Sequence, residues 1–168
     1  MLNGGLINVS LNPISRQVSR QLREIGLTLA LAESCTGGLL ADTITAIPGS
    51  SAYFIGGVVA YHPQVKVDLL QVDSHLLDEP GVVSAAVAEA MAAGARRLFQ
   101  ADLGLGITGV AGPGGGSPRT PVGRVFIAVA RGGGGECQQF DFSGSRAEIK
   151  RYSVRAALKM LGGVLGAG

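Results

Sequence analysis

Aromatic side chains are scarce, at 5% of the chain with no tryptophan, and no basic stripe accompanies them. A nucleic-acid reader normally shows clustered cations or interleaved aromatics, and a formal charge of +2 supplies neither. No nucleic acid partner is therefore expected. Uninterrupted apolar runs are short: Val125 to Ala130 is strand-sized, far from the roughly eighteen residues of a bilayer span. The start, "MLNGGLINVS", has no basic segment leading into an apolar one, so neither a secretory signal nor a membrane partner is expected. Only two cysteines occur, Cys35 and Cys137. Without an export signal they read as reduced thiols of a cytoplasmic protein. His62 and His75 are isolated, and the cysteines lack paired zinc spacing, so no metal and no cofactor is expected.

Small residues are what the chain does have. Its 27 glycines and many alanines, within a 46% apolar composition, suit an α/β protein with closely packed elements. "NPISRQVSRQLREIG" reads as a helix, with Asn12 as cap, Pro13 in the first turn and Gly26 as its stop. Leu27 to Ala32 reads as a buried strand and Gly37 to Ala46 as a helix. "YFIGGVVAY" is a second strand, and Pro63 opens a short helix carrying Lys66. "SAAVAEAMAAGARRLFQ" is an alanine-rich helix capped by Ser84, packed within a subunit or between two copies of a homo-oligomer. Asp102 to Ile107 is a third strand, and "VGRVFIAVA" and "ECQQFDF" flank a "RGGGG" hairpin. "SRAEIKRYSVRAALKML" closes the chain as a helix with a capping box from Ser145 to Glu148. The order predicts a single α/β domain, a mixed β-sheet flanked by helices. Residues 1–12 read as an extension and 13–168 as the domain.

"GLGITG" matches the dinucleotide fingerprint in letters but not in context. The fingerprint must open a helix, and "VAGPGGGSP" cannot propagate one. The glycine-rich loop that follows is open to two readings. It is either a main-chain surface for a phosphate or flat ring, or a plain surface loop.

"AESCTGG" places Glu33, Ser34, Cys35 and Thr36 at a strand-to-helix turn. In one reading Ser34 or Thr36 caps the helix. In the other, Ser34 projects its hydroxyl into a crevice as a nucleophile, and N–H groups of the turn hold an oxyanion. Such a serine needs a base. Of three lysines against eleven arginines, only Lys66 lies among apolar neighbours just past a strand end. It is either an ordinary surface lysine or one desolvated enough to lose its proton, which arginine cannot do. Ser-Lys pairs are a known nucleophile arrangement.

Six segments occur in order: "AESCTGG", "PGSSAYFIGGVVAY", a lysine five positions after that tyrosine, "GVVS", "GITGVAGPGGG" and "PVG". Together they resemble the C-terminal domain of the competence/damage-inducible CinA family, over nearly the whole chain. That family includes stand-alone nicotinamide mononucleotide (NMN) amidohydrolases. About a dozen residues precede the first helix, too few for the family's N-terminal domain, which is related to molybdopterin-binding proteins. The resemblance implies hydrolysis of NMN to nicotinate mononucleotide and ammonia, in pyridine nucleotide salvage. It implies Ser34 as nucleophile, Lys66 as base and Tyr61 as a phenol that orients or relays within the pair. Thr36, Gly37, Gly38, Thr108, Gly112, Gly114 and Gly115 would line the substrate site, and Arg146 would take the 5′-phosphate. One segment departs from the family: "YHPQVK" stands where "YSNEAK" is frequent, with the spacing kept but the surroundings of Lys66 changed. A non-catalytic nucleotide- or partner-binding domain is the alternative reading.

Overall fold

The computed structural model describes residues 12–166. Its chain order is α1 (Asn12–Ile25), β1 (Leu29–Glu33), α2 (Leu39–Thr45), β2 (Phe54–Val59), α3 (Pro63–Asp68), α4 (Ser74–Leu76), α5 (Ala85–Leu98), β3 (Leu103–Gly109), β4 (Arg124–Arg131), β5 (Gly134–Asp141) and α6 (Arg146–Gly166). The five strands form one mixed sheet in the order β2-β1-β3-β4-β5. β1 pairs in parallel with both β2 and β3, while β4 and β5 continue the sheet antiparallel. The expected α/β fold is the observed one.

Alternation in the two central strands builds two unlike layers. Leu29 and Leu31 of β1 join Leu105 and Ile107 of β3 in a core shared with Val18 and Leu22 of α1 and Val154, Leu158 and Leu161 of α6. The intervening Ala30 and Ala32 face the other way, with Val87, Met91 and Ala95 of α5. On that side β3 offers Gly104 and Gly106, where a Cβ would collide with the carbonyl oxygens of Ala92 and Ala88. The fingerprint-like glycines therefore serve close strand–helix packing. The alanine-rich helix α5 packs within the subunit, against β3, β4 and β1.

Several local expectations hold. Ser84 Oγ accepts from the Val87 amide at the start of α5, and Ser145 and Glu148 form their capping box. Asn12 and the reading of residues 1–12 as an extension lie outside the described side chains and residues. Helix α6 runs five residues beyond its expected end at Leu161. Gly162 continues it against Val18 and Gln21 of α1, so tertiary packing overrides the low helix propensity of glycine.

From β1 the chain moves to one side for β2 and then to the other for β3. Such a reversal opens a crevice outside the carboxyl ends of the parallel strands. Glu33 at the end of β1 is in register with Val59 and Ile107, so Ser34, Ala60 and Thr108 arrive together at that edge.

Candidate active site

A cavity of about 270 Å³ opens at this edge. Its walls include Ser34, Cys35, Tyr61, Thr108, the Gly112–Gly115 stretch and Arg146. A larger open groove of about 960 Å³ runs between β5 and α6, but it carries neither Ser34 nor Lys66. Chemistry rather than size therefore selects the smaller one.

Lys66 is the centre of the site. It is fully buried, its Nζ lies 3.1 Å from Ser34 Oγ, and it also donates to the Ala60 carbonyl. Among the described residues no carboxylate forms an ion pair with it. Burial therefore pushes its pKa down from 10.5 to about 8. A Cys35 thiolate would oppose that shift, yet burial raises the Cys35 thiol to about 12 and keeps it uncharged near neutrality. For the same reason Cys35, although it faces the cavity, is a poor nucleophile. In "YHPQVK", His62 Nδ1 caps α3 through the Gln64 amide and Pro63 occupies the first helical position. The altered segment still delivers Lys66 to Ser34.

Neither Ser34 nor Thr36 caps α2. The carboxylate of Glu33 does so, accepting from the amides of Gly38, Leu40 and Ala41. Sequence reasoning missed this because caps are sought at the residue just before a helix, and that residue is Gly38, which has no side chain. The capping also removes expected oxyanion donors. The Gly38 amide is spent on Glu33, and the Gly37 amide on the Ser34 carbonyl. The Ser34 amide is spent on Ile107. The amides of Cys35 and Thr36 donate to no other residue among those described. Thr36 is fully buried with its hydroxyl unpartnered among the described residues, and neither it nor the exposed Gly37 and half-buried Gly38 line the cavity.

The remaining residues sit elsewhere around the opening. Thr108 is 1% exposed and donates to the Val82 carbonyl at 2.9 Å, tying the "GVVS" segment to the end of β3. Tyr61 is 59% exposed, and its hydroxyl accepts from Arg146 at 2.8 Å rather than meeting Ser34 or Lys66. Arg146 also donates to the Gly112 carbonyl at 2.7 Å, so it joins the glycine-rich loop to Tyr61 across the rim. Lys150, which reads from sequence as part of a solvated face, brings its ammonium within 3.5 Å of where a Cβ on Gly37 would lie.

Residues 11–165 match the model of the CinA C-terminal domain. The chain belongs to the CinA C-terminal domain family. A CinA-like protein of Geobacter metallireducens is 50% identical over 160 residues, covering 95% of this chain and 39% of its own length. The CinA-type domain described here thus spans well under half of that relative. Among solved structures, competence/damage inducible protein CihA from Agrobacterium tumefaciens superposes with a TM-score of 0.89 at 38% identity, covering 93% of this chain and 95% of its own. A CinA-superfamily protein from Klebsiella pneumoniae reaches 0.91 at 34% identity, covering 95% of this chain and 99% of its own. No helix among the described residues of the CinA-type domain is long and apolar enough to cross a membrane.

Proposed function

We propose that this CinA-type domain is a nicotinamide-nucleotide amidase, hydrolysing NMN to nicotinate mononucleotide and ammonia. The observation that carries the reading is a buried lysine, in no ion pair with a carboxylate among the described residues, hydrogen-bonded to a serine on the wall of a small-molecule cavity. With Lys66 titrating near 8, about a tenth of it is neutral at pH 7. The neutral amine keeps one N–H on the Ala60 carbonyl and turns its lone pair to the Ser34 hydroxyl.

Ser34 Oγ attacks the carboxamide carbon as its proton passes to Lys66, forming the C–O bond and an oxyanion. The Cys35 amide, beside Ser34 on the cavity wall and donated to no other described residue, is the donor available to that oxyanion, worth about 3–4 kcal/mol in a well-formed hole. The C–N bond then breaks as Lys66 returns the proton to the leaving nitrogen, giving ammonia and an acyl-serine ester. Water, deprotonated by the same lysine, hydrolyses the ester. The cationic pyridinium withdraws electrons from the carbonyl and disfavours a charged lysine beside it, which enlarges the neutral fraction. At the rim, the Arg146 guanidinium is the group suited to the 5′-phosphate. The family resemblance carries with it a cytoplasmic role in pyridine nucleotide salvage.

Ammonia release from NMN by the purified protein, with excess EDTA and beside Ser34→Ala, tests the assignment. Metal-independent release that disappears in the variant, with NMN still bound, is the expected result. NMN binding without any release from the intact protein would replace the amidase by a non-catalytic nucleotide-binding domain.

A further inference from the structure

Glu33 is 1% exposed, and among the described residues it takes part in no ion pair. Its Oε2 accepts from the Gly38 and Leu40 amides, each at 3.1 Å, and its Oε1 from the Ala41 amide at 2.8 Å. These are the unpaired donors that begin a helix, and they are ordinarily met by a serine, threonine, aspartate or asparagine at the cap position. Here the cap position is glycine in a left-handed conformation, and the acceptor comes from the strand behind the turn. The hydroxyls nearest in sequence, Ser34 and Thr36, are left out of the cap. Ser34 bonds Lys66 instead, and the Thr36 hydroxyl bonds nothing among the described residues.

We infer that Glu33 is a positioning residue for the Ser34–Lys66 pair: by capping α2 from the end of β1, it keeps the Ser34 hydroxyl out of the cap and directed at Lys66. The inference rests on the reading of Ser34 as nucleophile. An ionised carboxylate is an acceptor at both oxygens, which suits three N–H donors. A glutamine of the same shape sets an NH2 group against at least one of them. That orphaned amide then competes for another acceptor, and the hydroxyls closest to it in sequence are those of Ser34 and Thr36; recruiting either one pulls the turn out of register with Lys66.

The test compares wild type with Glu33→Gln in two assays. One is NMN turnover; the other is the rate at which a fluorophosphonate probe modifies Ser34, followed by mass spectrometry. The expected result is a fall in kcat of about thirtyfold or more with KM held within about twofold, and a parallel slowing of labelling. A labelling rate unchanged from wild type overturns the proposal, as does a loss that appears in KM alone. Where the glutamine variant does not fold, Glu33→Asp, which keeps the charge and shortens the reach, is judged by the same two criteria. A wild-type protein that labels but releases no ammonia removes the amidase reading, while the labelling comparison still decides the role of Glu33. A wild-type protein that neither labels nor releases ammonia overturns both, and where ammonia is released without labelling the kcat and KM criterion decides.

Discussion

Ser34 and Thr108 on the inner wall of the cavity, and Lys66 bonded to Ser34, have lost nearly all contact with water, whereas at the rim Tyr61 and Arg146 stand exposed. The two regions are built differently. The inner wall hangs on strand ends and main-chain hydrogen bonds, with Lys66 held by the Ala60 carbonyl and Thr108 by Val82. The rim is assembled from long side chains, Arg146 reaching to both Gly112 and Tyr61. Desolvation tunes a proton-transferring group, so it belongs where bonds are made. An exposed guanidinium suits attraction of an anion that arrives with its own water. Under the proposed amidase reading, chemistry belongs to the inner wall and anchoring to the rim.

That division breaks most visibly at Lys66. Lys66→Ala is expected to lower kcat by at least about a thousandfold, with NMN still bound, as judged by turnover beside a binding titration. Arg146→Ala should do the reverse, raising KM about 10–100-fold while kcat stays within about threefold. A comparable loss of kcat in that variant would merge the two regions into one.

The pH dependence sharpens the contrast. Because Lys66 must be neutral to act, kcat/KM should climb about tenfold per unit below pH 8 and level off above it. The bound pyridinium further disfavours the ammonium, so the corresponding limb of kcat should lie at lower pH. Arg146→Ala should leave the kcat/KM limb where it is. The smallest effect is expected at Tyr61. Removing its hydroxyl in Tyr61→Phe takes one hydrogen bond from Arg146, which should raise KM about 2–10-fold without moving the pH limb. A shift of that limb would return Tyr61 to the proton-transfer pair.

Much of this architecture was legible in the chain because it depends on local chemistry. A serine at a strand-to-helix turn and a lone lysine among apolar neighbours are readable as letters, and the structure brings Ser34 and Lys66 together. Ser84 and the Ser145–Glu148 box were readable for the same reason, since a cap spans three residues. What escaped depends on distance. Glu33 caps from the wrong side of its turn, and Tyr61 finds Arg146 across 85 positions of sequence. The glycines of "GLGITG" reveal their purpose only in phase with "LALA" of β1, where large residues face one layer and small ones the other.

Burying Lys66 without a carboxylate also sets a proton inventory for melting. The folded protein releases that proton near pH 8, the unfolded chain near 10.5. Between these values the unfolded chain holds this proton and the folded one does not, so the contribution of Lys66 to native stability rises with pH by up to about 1.4 kcal/mol per unit. Below the window both states are charged and the penalty is constant; above it both are neutral and the penalty is gone. On unfolding at pH 9 Lys66 takes up most of a proton, while the buried thiols of Cys35 and Cys137, raised from 9.0 to about 12 and about 11, each give up about half of one, so the lysine is read as the difference between wild type and Lys66→Met. That difference in heat absorbed should be larger in Tris, whose ionisation enthalpy is large, than in borate, whose ionisation enthalpy is small, so the buried lysine announces itself in a calorimeter without substrate.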